Sequence, residues 1–295
     1  MQTFETPELI AVTVELGVGD LRIAASDRTD TVVDVRPSDP SKRADVAAAE
    51  QTHVEFANGR LLVRAPKGWR RWSPWGPWGG HESIDVHIDV PAGSSLSGQM
   101  GVGAMRSTGR LGRCVFRTGV GDLRVDEAGS VELRTGAGDI TVDRVDGAAE
   151  ITTGSGAVGI ASLDGRTTVK NGNGDTWIGE VTGEARVNAA NGRISIDHAH
   201  AGLVAKTANG DVRLGRVERG AVVAQSAFGR VDVGVADHVA AWLDLDTKFG
   251  TVQNDLDAAE RPGPSEETVE VHAQTSMGDI TIRRSVGDGA GKERS

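Results

Sequence analysis

The side chains best placed to do chemistry in this chain are carboxylates. Asp20, Asp122, Asp139, Asp175, Asp211 and Asp279 each follow a glycine directly, and Gly-Asp repeats bring to mind the nonapeptide Gly-Gly-x-Gly-x-Asp that holds Ca²⁺ in parallel β-rolls. Calcium is therefore the first ligand to weigh. The spacing argues against it, because only one such aspartate comes in about 18 residues and no second Gly-x-Asp lies between. Followed through four successive repeats, the position reads Asp175, Arg193, Asp211, Arg230. Stacked roughly 4.8 Å apart, alternating charges attract and neutralise one another without a metal. A structural charge ladder is expected, each exposed pair contributing roughly 0–1 kcal/mol and helping to fix register. Ion binding by the Gly-Asp turns is the alternative.

Other reactive types are sparse. Asp197-His198-Ala199-His200 sets two histidines two residues apart, a spacing that shares one face of an extended chain and suits metal ligands. No cysteine is near, so solvated turn histidines are the reading. Gly154-Ser155-Gly156 lacks the strand-to-helix turn a nucleophilic serine needs. Cys114 falls at an inward position and reads as a small buried hydrophobe. No catalytic residue, metal ligand or cofactor site is assigned, and the chain is not read as an enzyme.

The unusual surface is Lys67 to His81, which holds four of the six tryptophans. Trp69, Trp72, Trp75 and Trp78 recur every third residue with Pro74 and Pro77 between them, and three is the period of a polyproline II helix. With Lys67, Arg70 and Arg71 beside the indoles, the functional reading is an interaction loop suited to a membrane surface, a protein partner or a carbohydrate. The structural reading is that the indoles fold back and seal an open end of the fold.

These groups need a scaffold, and composition says which kind. Gly at 40 of 295 residues is about twice the usual share, with only 9 Pro. Many tight turns follow. A net charge of -10 provides no basic field, so nucleic acid is not an expected partner. The N-terminus lacks a basic segment followed by an apolar one, and no run of eighteen apolar residues occurs. One cysteine precludes an internal disulfide. A cytoplasmic protein is expected, with an unknown protein partner or self-association.

The scaffold is a repeat. The phrase Thr-Gly-x-Gly-Asp followed by apolar-x-apolar, as in Thr135 to Val142, places its second glycine at Gly19, Gly103, Gly121, Gly138, Gly156, Gly174, Gly192, Gly210, Gly229, Gly250 and Gly278. A second glycine class, including Gly112, Gly129, Gly147, Gly165 and Gly183, falls half a period later. Two turns and two alternating strands per repeat make one rung of a coil. Asn173, Asn191 and Asn209 form one column of like residues, and Thr118, Thr135 and Thr153 another.

The expected fold is an all-β solenoid of about ten short two-strand rungs, right-handed or flattened. Residues 1–95 form a β-rich N-terminal cap with a short helix and the Trp-Pro loop, 96–284 the solenoid repeats, and 285–295 a disordered tail. In the cap, Leu9 to Leu16, Leu21 to Ala25 and Thr31 to Arg36 read as strands. Ser41 is expected to cap a helix through Gln51, and Asn58-Gly59 to turn a hairpin.

The Thr-Gly-x-Gly-Asp phrases, together with Ile84 to Val90 running into Pro91-Ala92-Gly93-Ser94, resemble the bacterial β-strand-repeat family labelled "putative adhesin", a domain of unknown function. The resemblance spans about Leu9 to Ile282. It implies a β-solenoid and an adhesin-like, non-enzymatic scaffold or interaction protein.

Overall fold

The computed structural model describes residues 1–66, 82–237, 239–256 and 267–285. Apart from one helix, Arg43–Gln51, the regular elements among them are strands. The fold is the expected β-solenoid. A representative rung runs Thr167–Asn173, turns at Gly174, and returns along Thr176–Val181. The rungs stack in parallel with like positions side by side: Thr167 lies beside Ala185, then Leu203, then Val222. On the opposite face Thr176, Ile194, Val212 and Val231 do the same. Alternation then fills the interior, with Val169, Val187, Ala205 and Ala224 buried against Ile178, Ile196, Leu214 and Val233.

The second glycine of each phrase allows this stacking. Gly192 has φ 129°, and a Cβ there would lie 2.1 Å from the Gly174 carbonyl oxygen of the neighbouring rung. Any side chain at this corner would force the rungs apart.

The chain forms two compact units, residues 1–146 with 151–153, and residues 147–150 with 154–295. In the first, chain order and stack order differ. Strand Ala11–Val18 lies between Arg60–Arg64 and Ser95–Val102, and Leu21–Ser26 lies between Ile84–Pro91 and the start of Met105–Val120. The first rung in sequence is thus second in the stack. The outermost rung comes from 60–64 and 84–91, and antiparallel strands cover it. His53–Ala57 pairs with Arg60–Arg64 through the expected Asn58-Gly59 turn, whose φ values are 51° and 70°. Asp30–Pro37 pairs with Ile84–Pro91, and Gln2–Glu5, a strand the sequence pattern did not indicate, pairs with Asp30–Pro37.

The helix differs from expectation at its start. Its N-cap is Lys42, with no side-chain cap, because the Ser41 hydroxyl donates to the Asp39 carboxylate at 2.7 Å. The buried Asp45 carboxylate receives the N–H groups of Asp39 at 3.2 Å and Ser83 at 3.0 Å. A charge inside the helix, rather than a cap before it, ties the helix to the strand entry at Ser83.

A similar exchange occurs in the second unit. Gly220–Phe228 pairs with Thr268–Met277, which pairs in turn with Ala240–Phe249; Val231–Val235 pairs with Ile280–Arg284, and that with Val252–Asn254. The last rung in sequence is thus inserted between the one before it and residues 220–235. The inserted rung brings Val269, Val271, Ala273, Ile280 and Ile282 into the core. The displaced rung forms the outer edge and carries Asn254 at the position where the inserted rung has the buried Ile282. Burying the more apolar sequence is the favourable order.

Candidate interaction surfaces

The repeat phrase spends its polar atoms on holding rungs together. The hydroxyls of Thr135, Thr153, Thr207 and Thr275 donate to the carbonyl oxygens of Gly121, Gly138, Gly192 and Gly229 at 3.0 to 3.2 Å, capping the corner glycine of an adjacent rung. Asn171, at the same position, donates to both Gly156 and Gly174. The aspartate satisfies the complementary group. Asp122 Oδ1 accepts the Asp139 N–H at 2.9 Å, Asp175 that of Arg193 at 2.8 Å, Asp211 that of Arg230 at 2.8 Å, and Asp279 that of Thr251 at 2.9 Å. Each carboxylate clips the backbone of the next rung across a turn where the sheet ladder is interrupted.

Asp175, Arg193, Asp211 and Arg230 lie on successive rungs at this clip. Their charged atoms meet at long range, with Arg193 3.8 Å from Asp211 and Arg230 4.0 Å from Asp279. The backbone clips are the shorter contacts. Among the described residues no group of three or more His, Cys, Asp or Glu side chains is arranged to hold a metal ion. The asparagine column forms an amide chain: Asn191 donates to Asn173 at 2.7 Å and Asn209 to Asn191 at 2.8 Å.

The two histidines of 197–200 part company. His198 lies in strand Ile194–Ala199 beside Glu180 and Arg216, whereas His200 sits past the strand's end between two carboxylates. Its Nδ1 is 2.7 Å from Glu218 and its Nε2 2.9 Å from Glu180. Partial burial alone would lower the pKa of His200, but the hydrogen bonds to Glu218 and Glu180 outweigh it and hold the pKa above the ordinary 6.5. A solvated turn was expected; an ion-paired bridge between rungs is found. Cys114 is fully buried, and burial pushes its thiol up to about 12, which leaves it unreactive at neutral pH.

The tryptophan loop with Trp69, Arg70, Arg71, Trp72, Trp75 and Trp78 lies outside the described residues. Sequence reasoning missed another apolar surface. The column that holds Asn173, Asn191 and Asn209 continues through Phe228, Met277 and Phe249, which are 55, 50 and 71 % exposed. Trp242, on the same outer strand as Phe249, is 66 % exposed. Extending the asparagine column by one period reaches Phe228, so that much was readable; Met277 and Phe249 join it only through the exchanged rung order. Large exposed apolar residues gathered on one edge mark contact surfaces rather than random surface composition.

Among solved structures, the chain is similar to a "putative adhesin" from Bacteroides fragilis, at 12 % identity over 95 % of each chain and a TM-score of 0.31. It is also similar to a "putative adhesin" from Parabacteroides distasonis, at 12 % identity over 96 % of this chain and 95 % of that one and a TM-score of 0.32. A "putative lipid binding protein" from Parabacteroides distasonis aligns at 12 % identity over 96 % of both, with a TM-score of 0.35. No curated protein matches the chain. A family model described as Toastrack DUF4097 matches residues 12–288. Spanning nearly the whole chain, that match agrees with the rungs, the corner glycines and the clips, and the chain belongs to the Toastrack DUF4097 family of β-solenoids.

Proposed function

We propose that the chain is a non-enzymatic β-solenoid scaffold that acts by binding, and that its principal contact is the outer rung Ala240–Asn254. One observation carries this reading: among the described residues that rung pairs on one side only, and it presents Trp242 and Phe249 beside an open strand edge. An unpaired edge with apolar neighbours is a template for another strand.

The partner that fits this edge is a second copy of the chain. Two-fold antiparallel pairing of Ala240–Phe249 keeps inward residues inward and closes on itself without propagating. Centred on Asp246, it sets each Asp244 opposite the other copy's Lys248, giving two opposite-charge pairs around one Asp246 pair on the axis.

Sedimentation velocity over a concentration series tests this. The wild type should dimerise, Lys248→Glu should weaken the dimer, and Asp244→Lys with Lys248→Glu should restore it. A monomer at every concentration, or a dimer indifferent to both changes, would overturn the assignment.

A further inference from the structure

The outward face of the first unit carries an arrangement that stacking energetics disfavours. Arg22, Arg106 and Arg124 occupy the same position on three adjacent strands, Arg22 beside Arg106 and Arg106 beside Arg124. On the other side of Arg22 the row continues through His87, 3.2 Å from Asp89, to Asp34, and Thr141 follows Arg124, so the run of like charge is the three arginines. Neighbouring strands are about 4.8 Å apart, so three like charges are held at a distance where they repel. All three arginines are exposed, and among the described residues none has an ion pair. Several arginines of the same unit are matched, Arg28 with Asp30 and Asp89, Arg64 with Glu15, Arg117 with Glu132, and Arg43, Arg60 and Arg113, unmatched among the described residues, do not stack on one another in a row. An unmatched row in a molecule of net charge -10, where carboxylates are plentiful, calls for an external counter-charge.

The surroundings select its shape. Asp20 and Asp122 lie two residues before Arg22 and Arg124, and Asp126 two residues after Arg124, while Ala104 and Thr108 flank Arg106 and Ala24 follows Arg22, so no second cation widens the stripe and acids border its two ends. These acids are occupied with structural bonds, Asp20 accepting the Ala104 N–H at 3.0 Å and Asp126 the Gly109 N–H at 2.8 Å. A broad anionic surface such as a bilayer would meet the flanking acids as well as the arginines. A narrow chain laid across the strands from Arg22 to Arg124 would touch the arginines and avoid the acids two residues to either side. Single-stranded nucleic acid is a narrow anion too, but it needs aromatic platforms for its bases, and none lies in this row.

We infer that the Arg22–Arg106–Arg124 row is a binding site for a linear acidic polysaccharide lying across the strands. A polyuronate presents one carboxylate per sugar ring along a narrow chain, and the planar guanidinium fork on its long side chain matches a carboxylate with two parallel hydrogen bonds. Polyphosphate crowds its charges more closely than the strands are spaced. The site is separate from the outer rung Ala240–Asn254 and does not depend on self-association there.

The test is calorimetric titration of the full chain with an oligogalacturonate at low and high salt, in parallel with a neutral oligosaccharide of the same length, inorganic polyphosphate, and phosphatidylglycerol vesicles. Binding to the oligogalacturonate alone is expected, weakening as salt rises. The Arg106→Gln/Arg124→Gln variant should bind roughly tenfold more weakly. Its melting temperature should equal or exceed that of the wild type, because removing stacked like charges relieves repulsion. Failure of the wild type to bind, or undiminished binding by the variant, would overturn the site. Equal or tighter binding of polyphosphate or vesicles would overturn the ligand class, and a lower melting temperature in the variant would make the arginines structural.

Discussion

The two outermost rungs of this protein are built from the same kind of strand and meet solvent in opposite ways. In the first unit the outer rung, Arg60–Arg64 with Ile84–Pro91, has Leu61, Val63, Ile84, Val86, Ile88 and Val90 buried to 2 % exposure or less. Antiparallel strands close its edges, and Phe56 of the covering hairpin meets Phe4 with ring centroids 5.4 Å apart. In the second unit the outer rung, Ala240–Asn254, leaves the inward Leu243 and Leu245 half-buried and Val252 45 % exposed. A rung has no burial of its own; its neighbours supply it. Where no strand among the described residues covers the edge, the charges of Asp244, Asp246 and Lys248 guard it, a common device against indiscriminate pairing.

The strongest way to break this comparison is to remove a leucine at each end. Leu61→Ala should destabilise the protein by roughly 2–5 kcal/mol, whereas Leu243→Ala should cost about 1 kcal/mol because that site is already half open. Equal losses in chemical denaturation would show that both rungs are covered. Next in size, Asp45→Ala strips the covering helix of the acceptor for two N–H groups and should cost roughly 1–3 kcal/mol, by the same measurement.

A smaller effect concerns acid and the open rung. The Asp279 carboxyl is held below the usual 3.8, first by the Thr251 N–H and then by the Thr251 hydroxyl. Its clip is therefore complete above that value and lost as pH falls through the lowered pKa. The Thr251 amide resonance should shift with an inflection below 3.8, and in Asp279→Asn it should not; an inflection at the ordinary value would show that the clip is absent in solution.

The smallest effect has the opposite sign. His272 lies between Asp244 at 3.1 Å and Glu270 at 2.9 Å, and these contacts, Asp244 foremost, raise its pKa above 6.5. The tether from the inserted strand to the outer strand is complete below the unfolded value and lost as pH rises through the raised one. Amide exchange, corrected for its intrinsic pH dependence, should accelerate in Trp242–Thr247 over that range while Leu61–Val63 stays unchanged. Matching changes in both segments would remove the distinction between the ends.

Much of this was legible in the residues. The Thr-Gly-x-Gly-Asp phrase can be read because each of its polar atoms must find a partner one rung away, which fixes both residue type and period. The rung exchanges were not legible. Whether Thr268–Met277 or Ala240–Phe249 lies inside depends on which buries better against Gly220–Phe228, a comparison between segments far apart in sequence. The arginine row was hidden for that reason too, since Arg22 and Arg106 are 84 residues apart and become neighbours only through the stack. His200 read as a solvated turn residue because Glu180 and Glu218 lie 20 and 18 residues away, on adjacent rungs.

The aspartate clip has a consequence for how such a molecule can grow. From Asp175 to Asp279 an acceptor stands on alternate rungs, and the intervening position, Arg193 or Arg230, only donates its N–H. The grammatical unit is thus a couplet of rungs, such as the 36 residues from Asp175 up to Asp211, and not a single turn of the coil. A gene that lengthens this protein by copying couplets keeps the clips and the alternation of charge; one that copies an aspartate turn alone keeps the clip, as Asp122 and Asp139 do, but stacks like charges, and one that copies an arginine turn adds an amide with no carboxylate to receive it.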